Sequence, residues 1–181
     1  MQRIQIKDKT FKTLIPYEQI SEAIDKVADR LNADFGSSTT PPILLCVLNG
    51  SIMFMGELMK RVDFDCQTVS IKLTSYEGTS STGKVRQALG LTSDITGRDV
   101  IIVEDIVDTG RTLNDVVKLL KARNPLSLRV VTLLDKPSRR LVDFTPDLSL
   151  FTIPDFFVIG YGLDGGELYR NLPYIAEYNL D

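Results

Sequence analysis

Hydrophobic positions along the chain alternate between helical and strand-like patterns. Apolar residues between Tyr17 and Leu31 recur at helical spacing and predict an amphipathic helix over 17–34. The continuous apolar run 43–48 is typical of a strand buried on both faces. The same patterns predict further helices over 52–62 and 112–123, and further strands over 68–74, 100–103, 128–134 and 156–161. Strands that alternate with helices indicate right-handed βαβ units, so we expect an α/β fold with one open, mainly parallel sheet flanked by helices.

The chain carries no repeat and no linker, which favours a single domain over 1–181. The segment 75–87 is polar and rich in Ser, Thr and Gly, and a loop of that length in a compact domain is usually functional. The longest uncharged run, 36–56, is interrupted by prolines and by an Asn-Gly-Ser turn, so no membrane span is expected. The first residues lack a signal-peptide core, and we expect a cytoplasmic protein with Cys46 and Cys66 as reduced, buried thiols.

Composition excludes several kinds of chemistry. Lys and Arg number 21 and Asp and Glu 24 among 181 residues, a net charge of −3, so we expect no nucleic-acid or anionic-membrane partner. The chain contains no histidine, which removes imidazole as acid, base, nucleophile or metal ligand. Proton transfer near pH 7 must therefore fall to carboxylates, Lys, Tyr or Cys.

The segment 103–112 contains the largest concentration of candidate functional residues in the chain. Glu104 and Asp105 are adjacent acids directly after an apolar strand. A polar turn then opens the next helix with the residues Asp108, Thr109, Gly110, Arg111 and Thr112. Free N–H groups, hydroxyls and the positive end of a helix dipole would make this turn a phosphate cradle, and the paired acids could hold sugar hydroxyls or a metal. The alternative is a solvated loop in which Asp108 caps the helix, but the complete string fits one ligand better.

This segment resembles the 5-phosphoribosyl 1-diphosphate (PRPP) binding motif of type I phosphoribosyltransferases, with two acids, two intervening residues and an Asp-Thr-Gly-x-Thr turn. The rest of the chain resembles the hypoxanthine-guanine branch of that family. The resemblance implies the type I phosphoribosyltransferase fold, with a small hood formed by the N- and C-terminal segments. It also implies a homodimer or homotetramer.

The same resemblance assigns roles to residues outside the motif. It implies a pyrophosphate loop at Leu48, Asn49 and Gly50 with a cis peptide after Leu48, although Asn49 stands where a lysine is common. It implies a mobile lid over the active site, and the lid segment begins at Ser75 and Tyr76. The remaining contacts implied are Arg170 for pyrophosphate, Lys136, Phe157 and Val158 for the purine, and Asp164 with Glu104 and Asp105 for Mg²⁺. Arg140, which follows Lys136, also falls where the family keeps its purine and pyrophosphate contacts.

Physical properties agree with several of these roles. Phe156 and Phe157 are consecutive in a predicted strand and would point to opposite faces, which allows one to join the core and the other to stack on a base. Lys136 follows a strand end, so that its ammonium could project into the crevice and donate to a purine carbonyl. Asp164 lies in a glycine-rich turn and could ligate Mg²⁺ on pyrophosphate oxygens.

The resemblance implies that a 6-oxopurine, hypoxanthine or guanine, reacts with PRPP to give the nucleoside monophosphate and pyrophosphate. Without histidine, a carboxylate must take the purine proton, and Asp108 is our candidate base. Two other classes of function compete with this one. A regulator on the same fold would bind RNA, which the acidic charge disfavours, and a receiver-like switch would be phosphorylated on an acid but leaves the Thr-Gly-Arg-Thr turn without a purpose.

Overall fold

The computed structural model describes residues 3–6, 9–74, 86–89, 91 and 93–178. The helices of this part of the chain are α1 (Tyr17–Phe35), α2 (Ile52–Met59) and α3 (Arg111–Lys121). Its strands are β1 (Arg3–Ile6), β2 (Lys9–Ile15), β3 (Ile43–Leu48), β4 (Gln67–Thr74), β5 (Arg86–Leu89), β6 (Asp99–Val107), β7 (Ser127–Asp135), β8 (Leu148–Thr152), β9 (Val158–Ile159) and β10 (Ile175–Glu177). Among the described residues, no helix is both long enough and apolar enough to cross a bilayer.

The main sheet has six strands in the order β5-β4-β3-β6-β7-β8. The strands β4, β3, β6, β7 and β8 run parallel to one another, and β5 pairs antiparallel with β4 at one edge. Alternate residues of β3 enter different cores: Leu44 and Cys46 pack with α1 and α2, whereas Leu45 and Val47 pack with α3. The predicted α/β fold, and the burial of this strand on both faces, are confirmed.

A second, four-stranded sheet joins the two ends of the chain in the order β1-β2-β10-β9. Its strands are antiparallel, and β10 pairs with both β2 and β9. A small core of Phe11, Ile159, Leu172 and Ala176 holds this sheet together. This is the hood that the resemblance implied, and it places Val158, predicted to contact a purine, in its strand β9.

The helices α1 and α2 end for identifiable reasons. α1 buries Ile20, Ile24 and Leu31 at helical spacing and ends at Phe35, one residue beyond the predicted boundary, with Gly36 as its C-cap. α2 ends at Met59, before the predicted end at residue 62, because the residues that follow it bind α1 instead of continuing the helix. There the Asn32 side chain donates to the Arg61 carbonyl (3.1 Å) and accepts from the Asp63 N–H (2.9 Å).

Three strand predictions needed correction. β6 extends to Val107 rather than ending at 103, because its pairing with β7 continues to that residue. The predicted strand 156–161 reduces to β9, because the chain turns at Gly160, whose φ of 93° takes it out of extended conformation. β8 was not predicted, since it is a half-buried edge strand with a weak alternation.

Two smaller expectations also changed. Arg86 and Gln87 belong to β5 rather than to a loop. Both cysteines are free, but only Cys46 is buried; Cys66 lies just before β4 and stays partly exposed.

Candidate active site

A cleft of about 240 Å³ opens at the carboxyl end of the main sheet. This is the edge at which open α/β sheets bind their ligands. The cleft is lined by the ends of β3 and β4, the end of β6 and the turn into α3, through Val47, Leu48, Leu73, residues 104–110, Thr112 and Leu113. The sequence-predicted acids and most of the predicted phosphate turn therefore share one cavity.

Glu104 and Asp105 lie within β6, not after it as predicted. The pairing of β6 with β3 ends at Val103, whereas its pairing with β7 continues to Val107. The side of β6 that faces the pyrophosphate loop is thus open at the two acids while their backbone is still held in the sheet. Local hydrogen bonds fix both carboxylates: Glu104 Oε1 accepts from the Asp105 N–H at 3.0 Å, and Asp105 Oδ1 accepts from the Ile106 N–H at 2.7 Å.

These two acids are electrostatically unusual. Glu104 is only 7% exposed, and burial raises the pKa of its carboxyl well above the ordinary range, with a further contribution from the charge of Asp105. Burial also raises the pKa of Asp105, while hydrogen bonds from Glu104 and Ile106 and the positive charge of Arg170 oppose that shift. Ligand hydroxyls that donate to the pair would replace the lost water and favour its ionised form.

The predicted pyrophosphate loop packs directly on this pair. The Leu48–Asn49 peptide bond is cis, as the resemblance implied. Gly50 lies so close to Asp105 that a Cβ at this position would be 1.5 Å from Asp105 Oδ2. Gly162, with φ of 100°, approaches in turn, since a Cβ there would be 1.8 Å from the Gly50 carbonyl oxygen. The segments around Gly50, Asp105 and Gly162 can pack this closely because positions 50 and 162 have no side chain. The Asn49 side chain is exposed.

The phosphate turn is formed by the residues between β6 and α3. Gly110 precedes the helix with φ of 78°, a left-handed conformation that glycine adopts without strain, and Asp108 makes no capping hydrogen bond. The helix-cap alternative for Asp108 is therefore wrong. Thr109 and Thr112 line the cleft beside the helix N-terminus, whereas the Arg111 side chain is exposed and does not line the cleft.

Asp108 forms an ion pair with Arg139, which the sequence did not point to. Arg139 Nε lies 3.1 Å from Asp108 Oδ1, and its Nη1 lies 3.3 Å from Asp155 Oδ2. Both sides of the Asp108 pair are more than 40% exposed, so the contact is screened by water and contributes little to stability. The only sequence signal for Arg139 is its place in the basic run after Lys136.

The predicted purine residues lie beyond Asp108, along the hood. Lys136 is 6% exposed, and rather than projecting freely its ammonium donates to the Phe156 carbonyl at 2.5 Å and lies 3.8 Å from Asp155. Phe157 is 52% exposed and touches Tyr178, with ring centroids 5.6 Å apart, whereas Phe156 packs against the core. As predicted, one ring packs against the core and the other is exposed. Both residues precede β9 and do not lie in a strand. Val158 is the first residue of β9 and is buried.

Asp164 and Arg170 meet each other next to the pyrophosphate loop. Arg170 Nη2 lies 2.8 Å from Asp164 Oδ1 and 3.1 Å from Glu167 Oε2. Its Nη1 donates to the carbonyl of Gly162, the residue stacked on Gly50. The residues predicted to contact pyrophosphate and the metal, Arg170 and Asp164, therefore pair with each other. The lid residues Ser75 and Tyr76 lie outside the described residues.

The donor set at this site suits Mg²⁺. Carboxylate oxygens of Glu104, Asp105 and Asp164 are the hard ligands that this ion prefers. In the part of the chain that the structure describes, no cluster of three or more acidic or sulfur ligands could enclose a metal by itself. The arrangement fits an ion that is held by one or two carboxylates and by substrate phosphates, which is the usual protein site for Mg²⁺.

The fold and the strand-end site together define the class of protein. The family model for the phosphoribosyl transferase domain matches residues 16–165. Curated relatives include the hypoxanthine-guanine phosphoribosyltransferases of Streptococcus pneumoniae, 44% identical over 91% of each chain, and of Bacillus subtilis, 41% identical over 91% of each chain.

Solved structures agree with this class. A hypoxanthine phosphoribosyltransferase from Staphylococcus aureus superposes with a TM-score of 0.86 at 42% identity, covering 93% of this chain and 91% of that one. A variant of the Trypanosoma cruzi enzyme in a ternary substrates complex has a TM-score of 0.87 at 39% identity, covering 93% and 95%. The chain belongs to the phosphoribosyltransferase family, in its hypoxanthine-guanine branch.

Proposed function

We propose that this protein is a purine salvage enzyme that transfers the 5-phosphoribosyl group from PRPP to N9 of hypoxanthine or guanine. The products are IMP or GMP and pyrophosphate. The observation that carries the proposal is the cleft in which the Glu104–Asp105 pair and the turn 108–112 face one ligand space. Hydroxyl-binding acids next to a phosphate cradle match a ribose 5-phosphate, and few other ligands need both.

Each part of the cleft has a task in the displacement at ribose C1. Glu104 and Asp105 accept hydrogen bonds from the ribose hydroxyls and place negative charge near a sugar that becomes positive in the transition state. The backbone N–H groups and hydroxyls from Thr109 to Thr112 bind the 5-phosphate at the N-terminus of α3. The loop 48–50 and Arg170 bind the leaving pyrophosphate, with Asn49 contributing no charge.

Asp108 takes the proton that the purine must lose when N9 attacks. Asp108 lines the cleft, and its carboxylate pairs with Arg139. For Asp108 to reach N7, this exposed ion pair must open or share its carboxylate. Because the pair is solvated, that rearrangement costs on the order of 1 kcal/mol or less.

The purine is held by its six-membered ring. Phe157 presents an exposed face for stacking, and the buried Lys136 ammonium lies beside the Phe156 carbonyl at the same place. An ammonium has donors and no acceptor, so it favours a 6-oxo group over the 6-amino group of adenine. The buried Val158 supplies backbone groups at the other edge of the base.

Mg²⁺ would be held by the diphosphate of PRPP together with one or two of the carboxylates of Glu104, Asp105 and Asp164. When bound, the ion neutralises charge on the departing pyrophosphate. Asp164 would exchange its pairing with Arg170 for this role, which frees the guanidinium for a phosphate oxygen.

The decisive experiment incubates the protein with PRPP, Mg²⁺ and each of hypoxanthine, guanine, xanthine and adenine. We expect nucleotide and pyrophosphate in equal amounts with the first two bases and no nucleotide from adenine. If no base reacts, RNA filter binding and phosphorylation by a small phosphodonor test the two competing classes of function, and a positive result in either would replace the proposal.

Asp108→Asn tests the assignment of the base. Removal of a general base lowers turnover by roughly 10²- to 10⁴-fold, and we expect a loss of kcat in that range with either purine. Asp29→Asn, which changes an exposed acid on α1, serves as the matched control and should keep wild-type turnover. Wild-type kcat in the Asp108 variant would show that another group accepts the proton.

Three broader properties complete the proposal. Residues 1–181 act as a single domain, and Ser75 and Tyr76 contribute to catalysis as the resemblance implies. The protein assembles as a homodimer or homotetramer, which sedimentation at micromolar concentration would test. It works in the cytoplasm, where its two free cysteines stay reduced.

A further inference from the structure

Residues 140–141, in the segment that follows β7, bind the backbone carbonyls of residues 107–109 at the start of the phosphate turn (residues 108–112). Arg140 Nη1 donates to the carbonyl oxygens of Val107 at 3.1 Å and Asp108 at 2.5 Å. The next carbonyl, of Thr109, accepts from the Leu141 N–H at 3.0 Å. The carbonyl of Val107, at the end of β6, also accepts from the Lys136 N–H at 2.9 Å. Three consecutive carbonyl groups, this one and those of Asp108 and Thr109 in the turn, therefore all point toward the segment 136–141.

This arrangement fixes the direction of the N–H groups on the other side of the turn. In a planar trans peptide the C=O and the following N–H point in opposite directions. Carbonyls that point back toward Arg140 therefore turn the N–H groups of Asp108, Thr109 and Gly110 away from it, toward the cleft. A row of convergent N–H groups of this kind binds anions.

Asp135 orients the Arg140 guanidinium. It is the last residue of β7 and is 7% exposed, and its carboxylate forms an ion pair with Arg140 Nη2. The side chains of the pair are 13% and 10% exposed, so the contact is largely shielded from solvent. One arm of the planar guanidinium thus binds the carboxylate while the other binds the turn carbonyls, which the point charge of a lysine cannot reproduce.

Packing of the arginine stem adds a steric constraint. A Cβ at Gly110 would lie 2.8 Å from Arg140 Cδ, so the stem lies flat against the left-handed glycine that starts α3. Arg140 therefore sets both the hydrogen bonding and the spacing of the turn. The guanidinium of Arg140 hydrogen-bonds only to backbone carbonyls of Val107 and Asp108 there, and Arg140 does not line the cleft.

We infer that Arg140, oriented by Asp135, is a positioning residue that aims the backbone N–H groups of residues 108–110 at the 5-phosphate of PRPP and of the product nucleotide. The inference rests on the proposed function. It predicts that Arg140 determines how tightly the phosphate is bound, without touching the substrate and without a part in proton transfer.

The test compares the affinity for a nucleotide with that for its nucleoside. In the wild-type protein, calorimetric titration should show GMP binding much more tightly than guanosine, because only GMP fills the phosphate turn. Arg140→Lys should reduce that ratio by about 10- to 100-fold, the size expected for loss of hydrogen bonds to a charged group. Affinity for guanosine should stay within about threefold of the wild type, which a general structural defect would not allow.

Steady-state kinetics provide a second readout. Arg140→Lys should raise the KM for PRPP by a similar factor and leave the KM for hypoxanthine nearly unchanged, because phosphate binding contributes to ground state and transition state alike. Asp135→Asn, which keeps an acceptor for Arg140 but removes the charge, should give a smaller change of the same kind. Arg123→Lys, at an exposed arginine after α3, is the matched control.

The outcomes separate the inference from the proposed function. If the wild-type protein does not prefer GMP to guanosine, the proposed function fails. If it does, and folded Arg140→Lys keeps the wild-type ratio and the wild-type KM for PRPP, the positioning role is wrong. Loss of guanosine and GMP binding in equal proportion would also overturn it.

Discussion

At the scale of single residues, the contact between Gly50 and Asp105 gives a sharp prediction. A Cβ at position 50 would lie 1.5 Å from the Asp105 carboxylate, so Gly50→Ala must push the carboxylate or the loop out of place. We expect kcat/KM for PRPP to fall at least about tenfold and the free energy of unfolding to fall by about 1–3 kcal/mol, as for other overpacked sites. Steady-state kinetics and urea unfolding measure the two effects.

Gly56 provides the matched control for this substitution. It lies inside α2 with nothing within 4 Å of the Cβ that alanine would add. Gly56→Ala should therefore stabilise the protein by roughly 0.5–1 kcal/mol through helix propensity and leave the kinetics unchanged. Wild-type kinetics in Gly50→Ala would mean that Asp105 tolerates displacement and is not needed in its observed position.

Sequence reasoning predicted that the acids and the turn share one site, but not the contacts that hold them. The resemblance placed Arg140 among the substrate contacts, whereas its guanidinium binds the carbonyls of Val107 and Asp108. Glu104, Asp105 and Asp108 are adjacent in the chain, so their spacing alone reveals a shared site. The partners of Asp108 and of the turn carbonyls, Arg139 and Arg140, come from a segment about 30 residues away. Their approach depends on the parallel pairing of β6 with β7, which no local pattern encodes.

At the scale of elements, α1 and α2 are joined by a cluster of charges around Arg61. Its guanidinium binds Asp25 (2.5 Å), Glu57 (2.6 Å) and the Ser21 hydroxyl (2.7 Å). Glu57 also accepts from Lys60, and hydrogen bonds from Lys60 and Arg61 lower the pKa of the Glu57 carboxyl. The cluster closes the C-terminal end of α2 against α1, on the core face opposite α3.

This cluster should make stability depend on pH in a definite direction. Because folding lowers the pKa of Glu57, its ionised form stabilises the folded protein above the unfolded-state value of about 4.3, and that contribution disappears as pH falls through the lower folded-state pKa. Glu57→Gln should be about 1 kcal/mol less stable than wild type at pH 7. Urea unfolding between pH 3 and 7 should show the two proteins converging in acid.

The exposed acid Glu22 on α1 is the control for this measurement. Glu22→Gln should differ from the wild type by less than about 0.5 kcal/mol at every pH, as expected for a surface substitution. A Glu57→Gln deficit that stays constant down to pH 3 would contradict the electrostatic explanation and point to packing instead.

Elements with strong periodicity were predicted well. The helix α1 and the strands β3, β4 and β7 match their predicted ranges within one residue at each end, because each buries a full face or both faces. The failures are elements whose existence depends on distant partners. β8 forms only against β7, and β9 is limited to two residues by the turn at Gly160. The hood was expected from the family resemblance and not from any pattern within those segments.

At the scale of the whole molecule, the site places an ionisable acid where the fold would be more stable without one. The pKa of Glu104 is raised on folding, chiefly by burial, so above the unfolded-state pKa its ionisation disfavours the folded state. Glu104→Gln keeps the acceptor for the Asp105 N–H and removes the charge. We expect this variant to gain at least about 1 kcal/mol in free energy of unfolding at pH 7.

The same variant should lose activity, because the ribose hydroxyls lose a charged acceptor. A fall of about tenfold or more in kcat/KM for PRPP, with higher stability in urea, would show function maintained at the expense of stability. A Glu104→Gln protein less stable than the wild type would instead mean that the carboxylate holds this end of β6 in place.

The hood also implies an order in which the molecule is completed during synthesis. All strands of the main sheet precede residue 153, whereas the hood lacks its central strand, β10, until Glu177 has been made. β10 then pairs with β2, about 160 positions earlier in the chain. The nascent chain can therefore assemble the turn 108–112 before the hood sheet that supports Phe157, so that the proposed purine-binding side is the last part to form.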